Sequence, residues 1–270
     1  VIFAILLLML AMAGALLRFT DRARKLAELQ MQFVAGVSHE LRTPLSVIRT
    51  AAHNLRSGVV TGGKQIERYG VLIVEEAERL TNIVEQVLRF ASTKAGSPLG
   101  GREQTSVVSL IDSAIQATAA SVAESGCHVE KHVGENLPPI LADPVALKHA
   151  LQNLLSNAAK YGAEGGWIGV TAASSADESG VEIRVVDRGA GIPADELGQI
   201  FDPFYRGKRA IEDQIHGTGL GLNLVKRIVE AHQGTVTVTS SPAQGTEFLV
   251  RIPALPVEQR DEFADSISRG

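Results

Sequence analysis

Apolar residues recur every three to four positions along the first third of the chain. Phe33, Val37, Leu41, Leu45, Ile48, Ala52 and Leu55 advance by four, four, four, three, four and three residues, a mean close to the ~3.6-residue turn of an α-helix. A second series, Tyr69, Ile73, Ala77, Leu80, Val84, Val87 and Ala91, keeps the same period. Between them, "SGVVTGGK" (57–64) has the glycine content of a turn. The pattern predicts two amphipathic helices, the first from Arg22 to about Arg56, folded into an antiparallel hairpin. One apolar stripe per helix is too little to bury within a lone hairpin, so a dimer forming a four-helix bundle is expected.

"KAGSPLGG" (94–101) reads as a flexible linker. Beyond it the period changes repeatedly. Ser109–Ala123 reads as a helix, Cys127–Val133 as a strand, and "PPILAD" as an extended piece entering a helix with Asp143 as N-cap and Pro144 at N1. Trp167–Ala173 and Val181–Asp187 alternate as strands, and Leu220–His232 is helical in pattern. "GTVTVTS" and "GTEFLVRI" form a closing hairpin that turns near Pro242–Gly245. This is a mixed sheet with helices, α+β in class.

Composition changes that picture at one end only. Lys+Arg number 26 against 30 Asp+Glu, a net charge of -4, so nothing points to a nucleic-acid partner. The single cysteine, Cys127, excludes an internal disulfide and a multi-cysteine metal site. The first 17 residues, "VIFAILLLMLAMAGALL", carry no charge and reach roughly 26 Å as a helix, slightly short of a ~30 Å hydrocarbon core. They read as the end of a transmembrane helix whose upstream part lies outside this chain. Arg18, Arg22, Arg24 and Lys25 follow at once, which places the remainder in the cytoplasm by the positive-inside bias.

"SHELRTPL" (38–45) interrupts the first helix with Pro44 beside an imidazole and a carboxylate. Thr43 and Pro44 could open a new helix as N-cap and N1. The apolar phase of Leu41, Leu45 and Ile48 runs on across the proline, which favours one continuous, bent helix in which the Glu40 carbonyl loses its partner. Nucleophilic catalysis suits these residues. His39 offers a neutral nitrogen near pH 7, and Glu40 can hold the other N–H and stabilise a charged product.

The second half carries polar groups at helical and turn positions. On "ALKHALQNLLSNAAKYG", Leu147, Leu151, Leu154, Leu155 and Ala158 make the buried face, and Asn153, Asn157 and Lys160 share another. That stripe is either a solvated face or a contact for phosphate and Mg²⁺, which needs few protein ligands when it keeps waters and phosphate oxygens. In "VVDRGAGIP", Asp187 can accept from an adenine amino group, and Gly189 and Gly191 let backbone approach a base. "FDPFYRG" and a charged run, 205–216, with the composition of a mobile lid, precede "GTGLGLNLV". There the N–H groups at Gly217, Gly219 and Gly221 and a helix N-terminus suit phosphate.

"FVAGVSHELRTPL" resembles the H box of sensor histidine kinases of the HisKA type. The helix around Asn157 resembles their N box, "VVDRGAGIP" their G1 box, "FDPFYRG" and "GTGLGLNLV" their F and G2 boxes, and "QGTEF", with Gly245 and Thr246, their last glycine motif. The order matches the family's across about 26–254. The resemblance implies that His39 takes the γ-phosphoryl group of ATP and passes it to an aspartate of a response regulator. It implies that Glu40 is the general base and Thr43 positions water in a phosphatase reaction. Asn157 would coordinate Mg²⁺ with support from Asn153, and Lys160 and Tyr161 would contact phosphate. Asp187, Gly189, Gly191, Gly217, Thr218, Gly219, Leu220, Gly221 and Thr246 would line the nucleotide, with Arg206 as lid cation. The fold implied is a transmembrane helix (1–17), a juxtamembrane helical connector (18–28), and a HisKA dimerisation and phosphotransfer hairpin (29–95). A linker (96–103), a GHKL-type α+β ATP-binding sandwich (104–256) and a polar tail (257–270) complete it. Partners would be a second copy, a receiver domain and the inner membrane. Two other readings share the residues: a degenerate binding module, and a GHKL ATPase or serine kinase of another branch. His53, His128, His132, His149 and His232 lack ligand spacing and read as surface residues, and Trp167 as packing at a strand start.

Overall fold

The computed structural model describes residues 2–92, 101–175, 177, 179–213, 215 and 217–255. The linker over 96–100 and the tail over 257–270 lie outside them.

The helical part is a hairpin. Helix α1 spans Ile2–Arg56 without a break and carries Pro44 in its interior, so Thr43 and Pro44 do not start a new helix. After the turn at 57–62, α2 runs over Gly63–Ser92. Asn54 Nδ2 donates to Tyr69 Oη at 3.5 Å across the pair. Within the hairpin, Pro44 and Ala51 on α1, Ile83 on α2 and Val60 in the turn are buried. The stripe expected from periodicity is only partly used: Leu45 stays 58% exposed and Val84 39%.

The expected transmembrane span is not found. Among the described residues no helix is long and apolar enough to cross a membrane. The charge-free run is slightly short of a hydrocarbon core by its own length, and it continues through Arg18 and Arg24 into the rest of α1 with no element boundary at residues 17–18.

The second part is a layered α/β sandwich. A five-stranded sheet has the order β2 (His128–Val133), β4 (Trp167–Ser174), β5 (Gly180–Asp187), β7 (Gly245–Pro253), β6 (Thr235–Ser241). Only the β2–β4 pair is parallel. Helices α3 (Val107–Glu124), α4 (Pro144–Tyr161) and α6 (Gly221–Ala231) supply the opposing layer, with α4 packed between the other two. Leu147, Leu151, Leu154, Leu155 and Ala158 of α4 are all buried, as periodicity predicts. They meet a core that includes Ile168 and Val170, Val181, Ile183 and Val185, and Val250 and Ile252. The alternate residues of β5 and β7 carry an ion-pair ladder instead, Arg184 bridging Glu182 and Glu247, and Arg251 reaching Glu182 at 2.8 Å.

Two elements escaped sequence reading. Strand β1 (Glu103–Thr105) pairs antiparallel with β3 (Ile140–Ala142), and α5 (Lys208–Glu212) forms within the lid run. Each is too short for periodicity to register.

Asp143 caps α4 as expected, its carboxylate accepting from Ala146 N–H at 2.9 Å, worth about 1 kcal/mol. His232 is not a surface residue. It is 3% exposed, its Nδ1 lies 2.7 Å from the Ile228 carbonyl and its Nε2 accepts from Asp143 N–H at 3.0 Å. Tertiary folding brings the C-terminus of α6 onto the cap of α4, where Nε2 finds a partner that no local spacing announces. His149 is half-buried, and His53, His128 and His132 are exposed.

Candidate active site

Asp187 ends β5, and its carboxylate is 5% exposed. Oδ1 accepts from Gly189 N–H at 2.9 Å. Burial pushes its pKa above the ordinary carboxylate value, against hydrogen bonds from the Gly189 and Thr246 backbones that hold it down. Thr246 stands opposite Asp187 in the β5–β7 register, and its hydroxyl lies 3.0 Å from Ser240 Oγ. A carboxylate kept from water with few donors is poised to accept one more hydrogen bond.

The end of α4 closes against this carboxylate. A side chain at Gly162 would meet Asp187 Cβ at 2.8 Å, and one at Gly189 would strike the Tyr161 carbonyl. Bare glycine backbone is therefore a packing requirement here, since the turn after β5 lies directly on the C-terminus of α4. Asn153 donates to the His149 carbonyl at 2.9 Å, and its Oδ1 sits 2.8 Å from where a Cβ on Gly221 would be. Asn153 thus marks the contact between α4 and the first turn of α6. Asn157 lies half-buried one turn further along α4, followed by the exposed Lys160 and Tyr161.

The glycine run before α6 has its own geometry. Phe204 N–H donates to the Gly219 carbonyl at 2.9 Å, and Gly219 adopts a φ of 69° with the Phe204 and Tyr205 backbones within 2.9 Å of any Cβ it might carry. Thr218 and Leu220 are buried and Gly217 half-buried. Arg206 is tied to lid backbone: its guanidinium donates to the Ile215 carbonyl at 2.6 Å and the Ala210 carbonyl at 3.4 Å. Sequence reading missed Glu196, which is 5% exposed. Its Oε1 accepts from Lys208 N–H at 3.3 Å, and its Oε2 leaves no room for a side chain at Gly207. It anchors the start of α5. Its only signal was an acidic residue ahead of an apolar run, which is common on solvated surfaces.

On α1, His39 is followed by Glu40, whose Oε1 is buried without a hydrogen-bond partner among the described residues. Thr43 is half-buried and Pro44 buried. A buried oxygen left unpaired costs about 1–3 kcal/mol, so this part of α1 holds a carboxylate that gains by taking up a donor.

The sandwich therefore gathers Asn153, Asn157, Tyr161, Asp187, Gly189 and Thr246 around one end of the sheet, and Gly221 opens α6 against Asn153. Such a combination is that of an ATPase-type nucleotide domain, on a chain that also carries a helical hairpin. Residues 142–256 match the family described as histidine kinase-, DNA gyrase B-, and HSP90-like ATPase, and residues 29–96 match the His Kinase A (phospho-acceptor) domain. Both domains that mark histidine kinases are therefore matched in this chain. SenX3, a sensor-like histidine kinase of Mycobacterium tuberculosis, is 30% identical over 90% of this chain and 58% of its own length. WalK, a sensor histidine kinase of Bacillus subtilis, is 31% identical over 90% of this chain and 39% of its own. The chain thus spans between about two fifths and three fifths of these relatives. Among solved structures, full-length ShkA in complex with AMPPNP aligns with TM-score 0.60 and 28% identity, covering 83% of this chain and 46% of that one. The histidine kinase AdeS of Acinetobacter baumannii shares the fold at TM-score 0.61 and 20% identity, over 81% of this chain and 98% of its own.

Proposed function

We propose that this chain is the catalytic part of a sensor histidine kinase that phosphorylates its own His39 from Mg-ATP and passes the phosphoryl group to an aspartate of a response regulator. The observation that carries the reading is the buried Asp187 carboxylate, restrained by Gly189 N–H at 2.9 Å, on a chain in which His39 is followed in sequence by Glu40 with its unpaired buried oxygen. ShkA, one of the solved structures similar to this chain, is in complex with AMPPNP.

Asp187 reads the base by accepting from the adenine amino group, in a turn whose Gly189 and Gly191 pack directly on the Tyr161 and Ser241 backbones. The N–H groups leading into α6 carry phosphate charge. An imidazole nitrogen of His39 forms the new N–P bond as the bond from γ-phosphorus to the bridging oxygen breaks and ADP leaves. Glu40 takes the proton released by the imidazole, which gives its buried oxygen the donor it lacks. Catalysis is then positioning and charge neutralisation. The donor set fits Mg²⁺ as a companion of the nucleotide: Asn157 offers a neutral amide oxygen, and among the described residues no group of three or more acidic, His or Cys side chains could hold a metal. Mg²⁺ bound through Asn157 would supply neutralisation of phosphate charge. Arg206 gives its Nη2 to the Ile215 and Ala210 carbonyls, so its Nε and Nη1 would be the donors toward a phosphate.

Thr43 as the residue that positions water for dephosphorylating the regulator, homodimerisation through the hairpin, and membrane attachment with the catalytic region in the cytoplasm belong to the same proposal. Membrane attachment is supported by the charge-free N-terminal run, where Ile2, Phe3, Met9 and Leu16 are each more than half exposed, and by the arginines that follow it.

Incubation with γ-labelled ATP and Mg²⁺ tests the reading. Label that is acid-labile and alkali-stable, and that disappears in His39→Gln, supports it. Label on a hydroxyl side chain, or none at all, sinks it.

A further inference from the structure

Two strands and the residue just after a third contribute to a cluster at the edge of the Asp187 site that the chemistry above leaves unused. Trp167 opens β4, and the β4–β5 register, with Ile168 opposite Asp187, sets it beside Arg188. The Arg188 guanidinium carbon lies 4.3 Å from the centre of the Trp167 ring. The indole N–H donates to Glu130 Oε2 on β2 at 2.7 Å. Room for the ring comes from Gly169, two residues along the same strand, where a Cβ would lie 2.8 Å from Trp167 Cζ2. The indole is thus held at its N–H by Glu130, seated over a glycine, and covered by Arg188.

Arg188 lies between the base-reading carboxylate and the glycine whose N–H that carboxylate accepts. The peptide joining Arg188 to Gly189 carries this N–H, so its orientation sets the direction in which Asp187 points. The next residues, Gly189, Ala190 and Gly191, bear nothing larger than a methyl group and cannot anchor the turn through side chains. Its far end is tied by backbone, Ala243 N–H donating to the Ala190 carbonyl at 2.8 Å and Ile192 N–H to Ser240 Oγ at 2.9 Å. At the near end the long side chain available is Arg188, and it is stacked on Trp167.

We propose that Trp167 and Arg188 are a positioning pair that orients the adenine-reading turn Asp187–Gly191, and through it sets the affinity and base preference of the site. The proposal rests on the reading of this site as an ATP site. An exposed cation–aromatic stack is worth about 0.5–1 kcal/mol, which corresponds to roughly a two- to fivefold change in nucleotide affinity.

The test is calorimetric titration of the full chain with Mg-ATP and with Mg-GTP, in the wild type and in Arg188→Gln, Trp167→Leu and Trp167→Phe. Arg188→Gln and Trp167→Leu should each weaken ATP about two- to fivefold, narrow the ratio of ATP to GTP affinity, and raise the KM for ATP in His39 phosphorylation while kcat is unchanged. Trp167→Phe keeps a ring beneath the guanidinium and should retain most of the affinity. Thermal midpoints without nucleotide separate this from loss of fold: the affinity must drop in Arg188→Gln, whose midpoint stays that of the wild type. Equal ATP affinity in wild type, Arg188→Gln and Trp167→Leu overturns the positioning role and leaves the ATP site standing, as does an unaltered ATP-to-GTP ratio. A wild type that binds neither nucleotide removes the site itself, and the positioning role with it.

Discussion

Among the described residues the hairpin of α1 and α2 fully buries Ala51, Val60 and Ile83, and leaves Leu45, Val71, Val74 and Leu88 more than half exposed. In the sandwich, one helix alone, α4, buries seven residues, and the strands facing it add Ile168, Val170, Val181, Ile183 and Val185. The sandwich completes its core within one chain, whereas the hairpin keeps open the apolar surface that a second copy would cover. Exposed aliphatic rows at helical spacing cost solvation until a partner arrives. If the hairpin dimerises as proposed, its stability will depend on concentration, whereas that of the sandwich will not.

The comparison can be broken most severely at the reactive groups. His39→Gln should abolish the acid-labile label entirely while Mg-ATP binds as in the wild type, read by filter assay and calorimetry. A shared loss of both would mean that the two parts do not carry separate functions. Asp187→Asn should lower ATP affinity by about tenfold to a hundredfold, as loss of a charge-assisted hydrogen bond implies, with self-association unaltered. The thermal midpoint of the sandwich should not fall, because the ionised carboxylate is itself a burden there. Its pKa is raised by burial, so at neutral pH the folded state holds a charge that the unfolded state solvates more easily.

A smaller change separates the parts from the other side. Val74→Lys places a charge on the exposed row of α2 and should weaken self-association about tenfold, since partly covering that side chain is worth about 1.5 kcal/mol to the pair. Sedimentation equilibrium measures it, and ATP affinity serves as the control. The smallest effect concerns pH. Burial lowers the pKa of His232 below its ordinary 6.5, with Arg102 acting in the same direction and the Ile228 carbonyl and Asp143 opposing. A depressed histidine favours the fold above its ordinary value, and that contribution is lost as pH falls through the folded pKa. Melts of the sandwich should therefore weaken below about pH 6.5, on the order of 1 kcal/mol for the Asp143 N–H bond that a protonated Nε2 cannot accept. His232→Gln should flatten this step. A step of unchanged size in that variant would assign it elsewhere.

Much of the site was legible in the chain because its residues sit at spacings that carry their own geometry. Asp187 ends an alternating run, so a strand end was predictable, and Asn153 and Asn157 fall on one helical face. The Asp143 cap was readable from its position before Pro144. Glu196 was not readable, because an acidic residue in a loop has no period and its role comes from burial against Gly207. His232 misled for the same reason. Its two ring partners lie at Ile228, one turn back, and at Asp143, 89 residues away, and only the second draws it inward. The hairpin stripe was drawn from period alone. It could not tell that Pro44 and Ala51 would be buried while Leu45 stays open.

By itself, the order of residues determined the elements, their amphipathic faces and the identity of the chemical groups, since these follow from backbone geometry over a few turns. Folding in three dimensions decided which groups lose water and which meet. It buried Asp187 and His232, closed glycine backbone onto the end of α4, tied Arg206 to its own lid, and stacked Arg188 on Trp167. Such outcomes depend on contacts between distant segments and on the desolvation that close packing imposes, and neither is written in local spacing.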